Sequence, residues 1–87
     1  MKVAVWDTYV QRADGNLMHF DILVPSHVTD ERTIFNFGKD YLKKKSFQTG
    51  QLTANECRPC HIEQATEAMI ASIEKMGYFI IEIENCD

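Results

Sequence analysis

Apolar and polar positions alternate with a period of two at the start of the chain, and MKVAVWDTYV predicts a strand from about Lys2 to Val10. Asp14-Gly15 follows, the dipeptide that most strongly signals a tight hairpin. A second strand, about Leu17 to Val24, sets Met18, Phe20, Ile22 and Val24 against His19, Asp21 and Leu23 until Pro25 stops it. The period then lengthens. From about Thr29 to Lys45, Ile34, Phe37 and Tyr41, with Phe35 and Leu42 beside them, fall on one helical face, and Thr29 or Asp30 can cap it. Gly38 inside that helix costs about 1 kcal/mol relative to Ala, which fits a close approach to the sheet. After Gln48-Thr49-Gly50, a short polar strand from about Gln51 to Glu56 leads into Cys57-Arg58-Pro59-Cys60. Pro59 suits the first position of a helix, where a missing N–H has no intrahelical partner. That helix is predicted to run to Met76, with Ile62, Ala65 or Thr66, Met69, Ile73 and Met76 inward and Gly77 as its C-terminal cap. Tyr78 to Glu84 reads as the last strand, with Phe79, Ile81 and Ile83 on one face.

The order β-β-α-β-α-β predicts an α+β or α/β two-layer sandwich forming a single domain over residues 1–87. The hairpin is antiparallel, and each strand-helix-strand unit favours a parallel pair with a right-handed crossover. Together these predict a four-stranded mixed sheet in the order 2-1-3-4 with two helices on one face. A two-residue turn at Asp14-Gly15 would put Val3, Val5, Asp7 and Tyr9 on the core face with Phe20, Ile22 and Val24. The open face would carry Trp6, Thr8, Val10, Leu17, His19, Asp21, Leu23, Tyr78 and Ile80. Trp6, Val10, Leu17, His19, Leu23, Tyr78 and Ile80 are then the predicted interaction face, for a homodimer or another protein partner, because so many large apolar groups mark an interface. Asp7 on a core face signals either a shifted register or a buried carboxylate in need of donors. His19 and Asp21, two apart on one strand, share a face but have no evident nucleophile beside them.

Composition narrows the class of partner. Hydrophobic residues make up 45% and charged residues 25% of 87 residues, an ordinary globular balance. The net charge of −4 gives no support to a nucleic-acid partner. The basic run Lys43-Lys44-Lys45 closes a predicted helix, where cations complement the dipole. No apolar run approaches the roughly 18 residues that span a bilayer, and the first residues lack a signal-peptide pattern. A soluble protein of the cytoplasm with no membrane contact is therefore expected. The three cysteines are an odd number in a reducing compartment and read as thiols.

Chemistry concentrates in ECRPCHIE, Glu56 to Glu63. Cys57, Cys60 and His61 match the spacing of covalent haem attachment, but the strand-rich context and the missing export signal disfavour haem. As Cys-x-Pro-Cys between a strand and a helix, the same stretch resembles a thiol redox site whose helix N-terminus favours the Cys57 thiolate. The proline that normally faces such a dithiol is missing, and Arg58 and His61 are a different setting. Zinc is the third candidate: Cys57, Cys60 and His61 supply suitable donors and the chain order brings Cys86 to the same end of the sheet, with His19 or His27 as further choices. The fourth reading leaves these groups as an unliganded helix start. Met69 and Met76 face the expected core rather than any cofactor.

The segments VWDTYV, MHFDILVP, FGKDYL, ECRPCHIE and GYFIIEI together resemble a small, mostly bacterial family of uncharacterised proteins, the domain-of-unknown-function family numbered 2024. The resemblance extends over nearly the whole chain and implies a compact α/β domain. It supplies no activity and no catalytic residue. The sequence therefore points first to a cytosolic binding or interaction domain, and second to a thiol redox or zinc protein acting through Cys57-Arg58-Pro59-Cys60-His61.

Overall fold

The computed structural model of the protein describes residues 1–50 and 57–87, with the backbone alone at residues 57 and 58. Six elements follow in the predicted order: β1 (Lys2–Gln11), β2 (Leu17–Pro25), α1 (Glu31–Lys43), β3 (Cys57–Gln64), α2 (Glu67–Met76) and β4 (Phe79–Glu84). The polar strand expected over Gln51 to Glu56 lies outside the described residues.

The hairpin loop sets everything downstream. The Arg12 N–H donates to the Asn16 carbonyl (2.9 Å), the Gly15 N–H to the Arg12 carbonyl (3.1 Å), and the Asn16 N–H to Asp14 Oδ1 (3.0 Å). Gly15 sits at φ +93°, the left-handed residue that a three-residue loop requires. Three loop residues rather than two move the pairing by one position: Trp6 faces Ile22, Asp7 faces Asp21 and Val10 faces Met18. A one-residue slip turns every side chain of one strand to the other face, so the expected division into core and open face is corrected. Ala4, Trp6 and Val10 share a face with Met18, Phe20, Ile22 and Val24, whereas Val3, Val5 and Asp7 share the other with Asp21 and Leu23.

The sheet is antiparallel throughout, in the order β3-β1-β2-β4, which overturns the mixed sheet and the order 2-1-3-4. β2 and β3 do run the same way, since both are antiparallel to β1, but β1 lies between them. β3 takes the free edge of β1, as the expected order had it, but α2 then carries the chain to the opposite sheet edge, where β4 pairs antiparallel with β2 instead of parallel with β3. The helices therefore cover opposite faces rather than one. Ile34 and Tyr41 of α1 pack on Trp6, Val10, Met18, Phe20, Ile22, Val24 and Tyr78. Ile73 of α2, with Met69 and Ala65, packs on Val3, Val5 and Leu23. Gly38 is buried on the inner side of α1 with Ile34 and Tyr41, as the helical pattern indicates.

The predicted open face is thus not open. Trp6 (6%), Val10 (2%) and Tyr78 (2%) lie beneath α1 and Leu23 (0%) belongs to the α2 side, while Ile80 packs against the α1-side core. Leu17 stays exposed and His19 half-buried. The second helix begins at Glu67, not near Pro59. Thr66 caps it by accepting from the Met69 N–H (3.3 Å), and the Met69 sulfur accepts from the Thr66 N–H (3.4 Å). A proline without a ladder donor is equally at home on an edge strand, and β3 is one. Ile62 is accordingly exposed in β3 rather than buried in a helix, and Met76 is exposed as well. Gly77 does close α2, at φ +90°.

A Cβ at Gly77 would lie 3.1 Å from Phe37 Cζ, whereas one at Gly15 would meet nothing within 4 Å. Both positions are left-handed, which costs a non-glycine residue about 1–2 kcal/mol. Gly15→Ala should lose that backbone amount alone and Gly77→Ala distinctly more, as measured by the urea midpoints of the two variants against the parent chain.

Candidate metal centre

The slipped register brings two carboxylates face to face. Asp7 of β1 pairs directly with Asp21 of β2, and Tyr9 with His19. These four residues lie on the same sheet face as Val3 and Val5, beyond the cluster that α2 packs against. Like charges directly opposite on neighbouring strands repel, so this pairing needs compensation. The His19 ring stacks on Tyr9, with centroids 4.1 Å apart and planes 12° from parallel. Its backbone carbonyl accepts from the Cys86 thiol at 3.3 Å. So held, His19 Nε2 faces Asp7 Oδ1 at 3.5 Å and Asp21 Oδ1 at 3.7 Å. These separations suit an ion pair but exceed hydrogen-bond geometry. His19 Nε2 and Asp21 Oδ1 are both buried without a hydrogen-bond partner among the described residues.

The electrostatics follow from that crowding. Burial, a hydrogen bond with Asp7 and the Asp7 charge push the Asp21 carboxyl up to about 6, against partial relief from His19 and His61. Asp7 moves below the ordinary carboxylate range, chiefly through its hydrogen bond with Asp21, with help from His19 and Cys60. Below about pH 6 the pair therefore shares one proton, held by Asp21.

Cys60 joins from the third strand. In the β3–β1 ladder His61 faces Val5 and Pro59 faces Trp6, which leaves Cys60 as the extra residue of a bulge. Its thiol is pushed up by partial desolvation and by the neighbouring Asp7 and Asp21 carboxylates. Neighbouring carboxylates disfavour a thiolate, and a strand supplies none of the dipole that a helix N-terminus would. The setting expected of a redox dithiol is therefore replaced by an acidic one. His61 Nδ1 lies 3.3 Å from the Cys60 sulfur and its Nε2 lies 3.8 Å from Glu63 Oε2.

Of the ligands predicted from sequence, Cys60 and His61 come together, and Cys57 opens β3 opposite Thr8. Cys86 is buried in the α1-side core, bonded to the carbonyls of His19 and Glu84. His27 is exposed beyond β2. Among the described residues the set whose donor atoms all lie within 4.8 Å of one another is Asp7, His19 and Asp21. Two carboxylates and an imidazole suit zinc or another borderline divalent cation. Zinc bonds of about 2.1 Å in a tetrahedron imply edges of about 3.4 Å. The two His19–carboxylate edges of 3.5 and 3.7 Å come close to that spacing. Sequence reasoning placed His19 and Asp21 together but missed Asp7, because its inclusion depends on counting the hairpin loop as three residues.

Comparison with solved structures finds the NMR structure of protein NE1680 from Nitrosomonas europaea, 37% identical, with a TM-score of 0.80 over 100% of both chains. Comparison with curated proteins gives no match. Residues 1–83 match the family described as "Domain of unknown function (DUF2024)". Together with the fold shared with the Nitrosomonas protein, that match over nearly the whole chain means that this chain belongs to the DUF2024 family.

Proposed function

We propose that this domain binds a divalent cation of the zinc class through Asp7, His19 and Asp21, with the Cys60 thiol at the rim of the same site. The observation that carries this reading is the half-buried, directly opposed carboxylate pair with an unpartnered imidazole nitrogen between them. A cation removes the repulsion, replaces the shared proton and satisfies His19 Nε2 in one step. The cation's charge would also reverse the effect of the carboxylates on Cys60, favouring its thiolate as a further donor.

Zinc titration followed by calorimetry, with competition by a chelator, tests this. Asp7→Asn, His19→Ala and Asp21→Asn should each weaken zinc by at least the roughly 10- to 100-fold that outer-shell partners of a metal site already command. Cys60→Ser should weaken it less, and Lys39→Ala, exposed on α1 across the sheet from the donor atoms, should leave it unchanged. Zinc bound equally well by the Asp7→Asn, Asp21→Asn double variant would rule the site out.

A second reading, an interaction surface, is favoured by three large apolar side chains around the same end of the sheet. Tyr9 (40%), Leu17 (49%) and Ile83 (49%) are exposed there, Ile83 as the extra residue of the β4 bulge beside His19. If a homodimer forms through this patch, Leu17→Lys dissociates it in sedimentation equilibrium. A monomer at high protein concentration without the substitution would exclude self-association.

The carboxylate pair also fixes a pH dependence in chelator-treated protein. Asp21 in the folded state holds its proton up to about 6, above the ordinary 3.8. The folded chain therefore binds more protons than the unfolded chain between about 4 and 6, and this contribution to stability is present below that window and lost as pH rises through 6. Asp7 acts in the opposite sense below the ordinary carboxylate range, where its contribution is lost as pH falls. Asp21→Asn keeps a donor for Asp7 without a second charge. Urea midpoints across this range should fall with rising pH for the parent chain relative to Asp21→Asn.

A further inference from the structure

On the opposite side of the β1–β3 ladder from the carboxylates lies a cavity of about 260 Å³. Ala4, Val5, Trp6, Val28, Pro59 and Ile62 give it an apolar wall, completed by Ser26, Thr29, Cys60 and His61. Trp6 is 6% exposed, and its indole N–H is buried with no acceptor among the described residues. A buried donor left without a partner costs about 1–3 kcal/mol and is uncommon in native proteins. An apolar cavity beside an orphaned donor is the pattern of a ligand site in which one polar group orients an apolar body.

We propose that this cavity binds a small, uncharged, mostly apolar molecule whose carbonyl oxygen accepts from the Trp6 indole N–H. The volume lies just under the roughly 300 Å³ at which small-molecule pockets begin, so the occupant is a single ring or short branched chain. Its neutrality follows from the wall. Cys60 and His61 are the ionisable residues of the described wall, and their side chains face carboxylates, Asp7 and Glu63 respectively. An anion would meet that negative field. A cation would find no carboxylate in the wall among the described residues. This inference does not depend on a metal at Asp7, His19 and Asp21, and chelator keeps the two separate.

Trp6 is the sole tryptophan, so the indole N–H gives one isolated resonance in a proton–nitrogen correlation spectrum. With EDTA present, benzamide, sodium benzoate and toluene are titrated in turn. Benzamide is expected to move that resonance downfield and to saturate. Benzoate should bind roughly tenfold or more weakly, and toluene should not shift the resonance downfield. Val28→Phe fills the cavity and should abolish the benzamide response. Ile62→Phe, at an exposed edge position, narrows the same space and serves where Val28→Phe fails to fold. No saturable shift with benzamide, an equal downfield shift with toluene, tighter binding of benzoate, or an unchanged response in a folded cavity-filled variant would each overturn the proposal.

Discussion

Register in the first hairpin is the constraint on which the rest of this structure depends. Gly15, at a positive φ that its sequence neighbours could adopt only with strain, closes a three-residue loop, and the parity of that loop decides which side chains of β2 join which side chains of β1. With one residue fewer, Asp7 would face Ile22 instead of Asp21. Both faces of the sheet inherit this choice. One receives mostly large apolar groups, Trp6, Met18, Phe20 and Ile22, with the buried Thr8 among them, and the other divides between an apolar half and a polar half.

That division explains how a short chain carries a polar cluster without losing its core. α1 lies against the mainly apolar face and, with the turn after it, is tied to β4 and the residue before it: Tyr41 and Lys45 both donate to Glu82, and the hydroxyl of Tyr78 donates to Asp40 at 2.6 Å. α2 needs only the apolar half of the other face, where Ile73 meets Val3, Val5 and Leu23. The uncovered half can then hold charges, because they keep part of their hydration. Full burial of two opposed carboxylates would cost far more than the neighbouring imidazole could return.

Much of this was legible in the sequence, and the failures share one cause. Periodicity alone located β1, β2, α1, β4 and the glycine that ends α2, because each rests on local spacing or a single backbone requirement. Which strands pair was not local. β3 was expected beside β1 and is found there, but β4 was expected as a parallel neighbour of β3, whereas the free edge of β2 takes it, and nothing within a few residues of either strand encodes that competition. Pro59 was ambiguous for a physical reason: a missing N–H is tolerated both in a first helical turn and on an edge strand. Thr66, three residues before Met69, was the better helix start. Cys57, Cys60 and His61 drew notice as a motif, whereas the Asp7–His19–Asp21 group has no linear signature, since it is created by cross-strand pairing.

β3 meets solvent along one side with a proline in its middle and a bulge at the next residue, and β4 on the opposite edge carries its own bulge between Glu82 and Glu84. An antiparallel sheet of this size ends in two rows of unpaired backbone groups, which are templates for uncontrolled stacking of one chain on another. At Pro59 the row lacks a donor, and at each bulge its spacing is broken, so an incoming strand cannot extend the ladder past those points. The irregularity that positions Cys60 beside the carboxylates therefore also guards the molecule against fibre-like growth, and straightening β3 would expose it to that hazard.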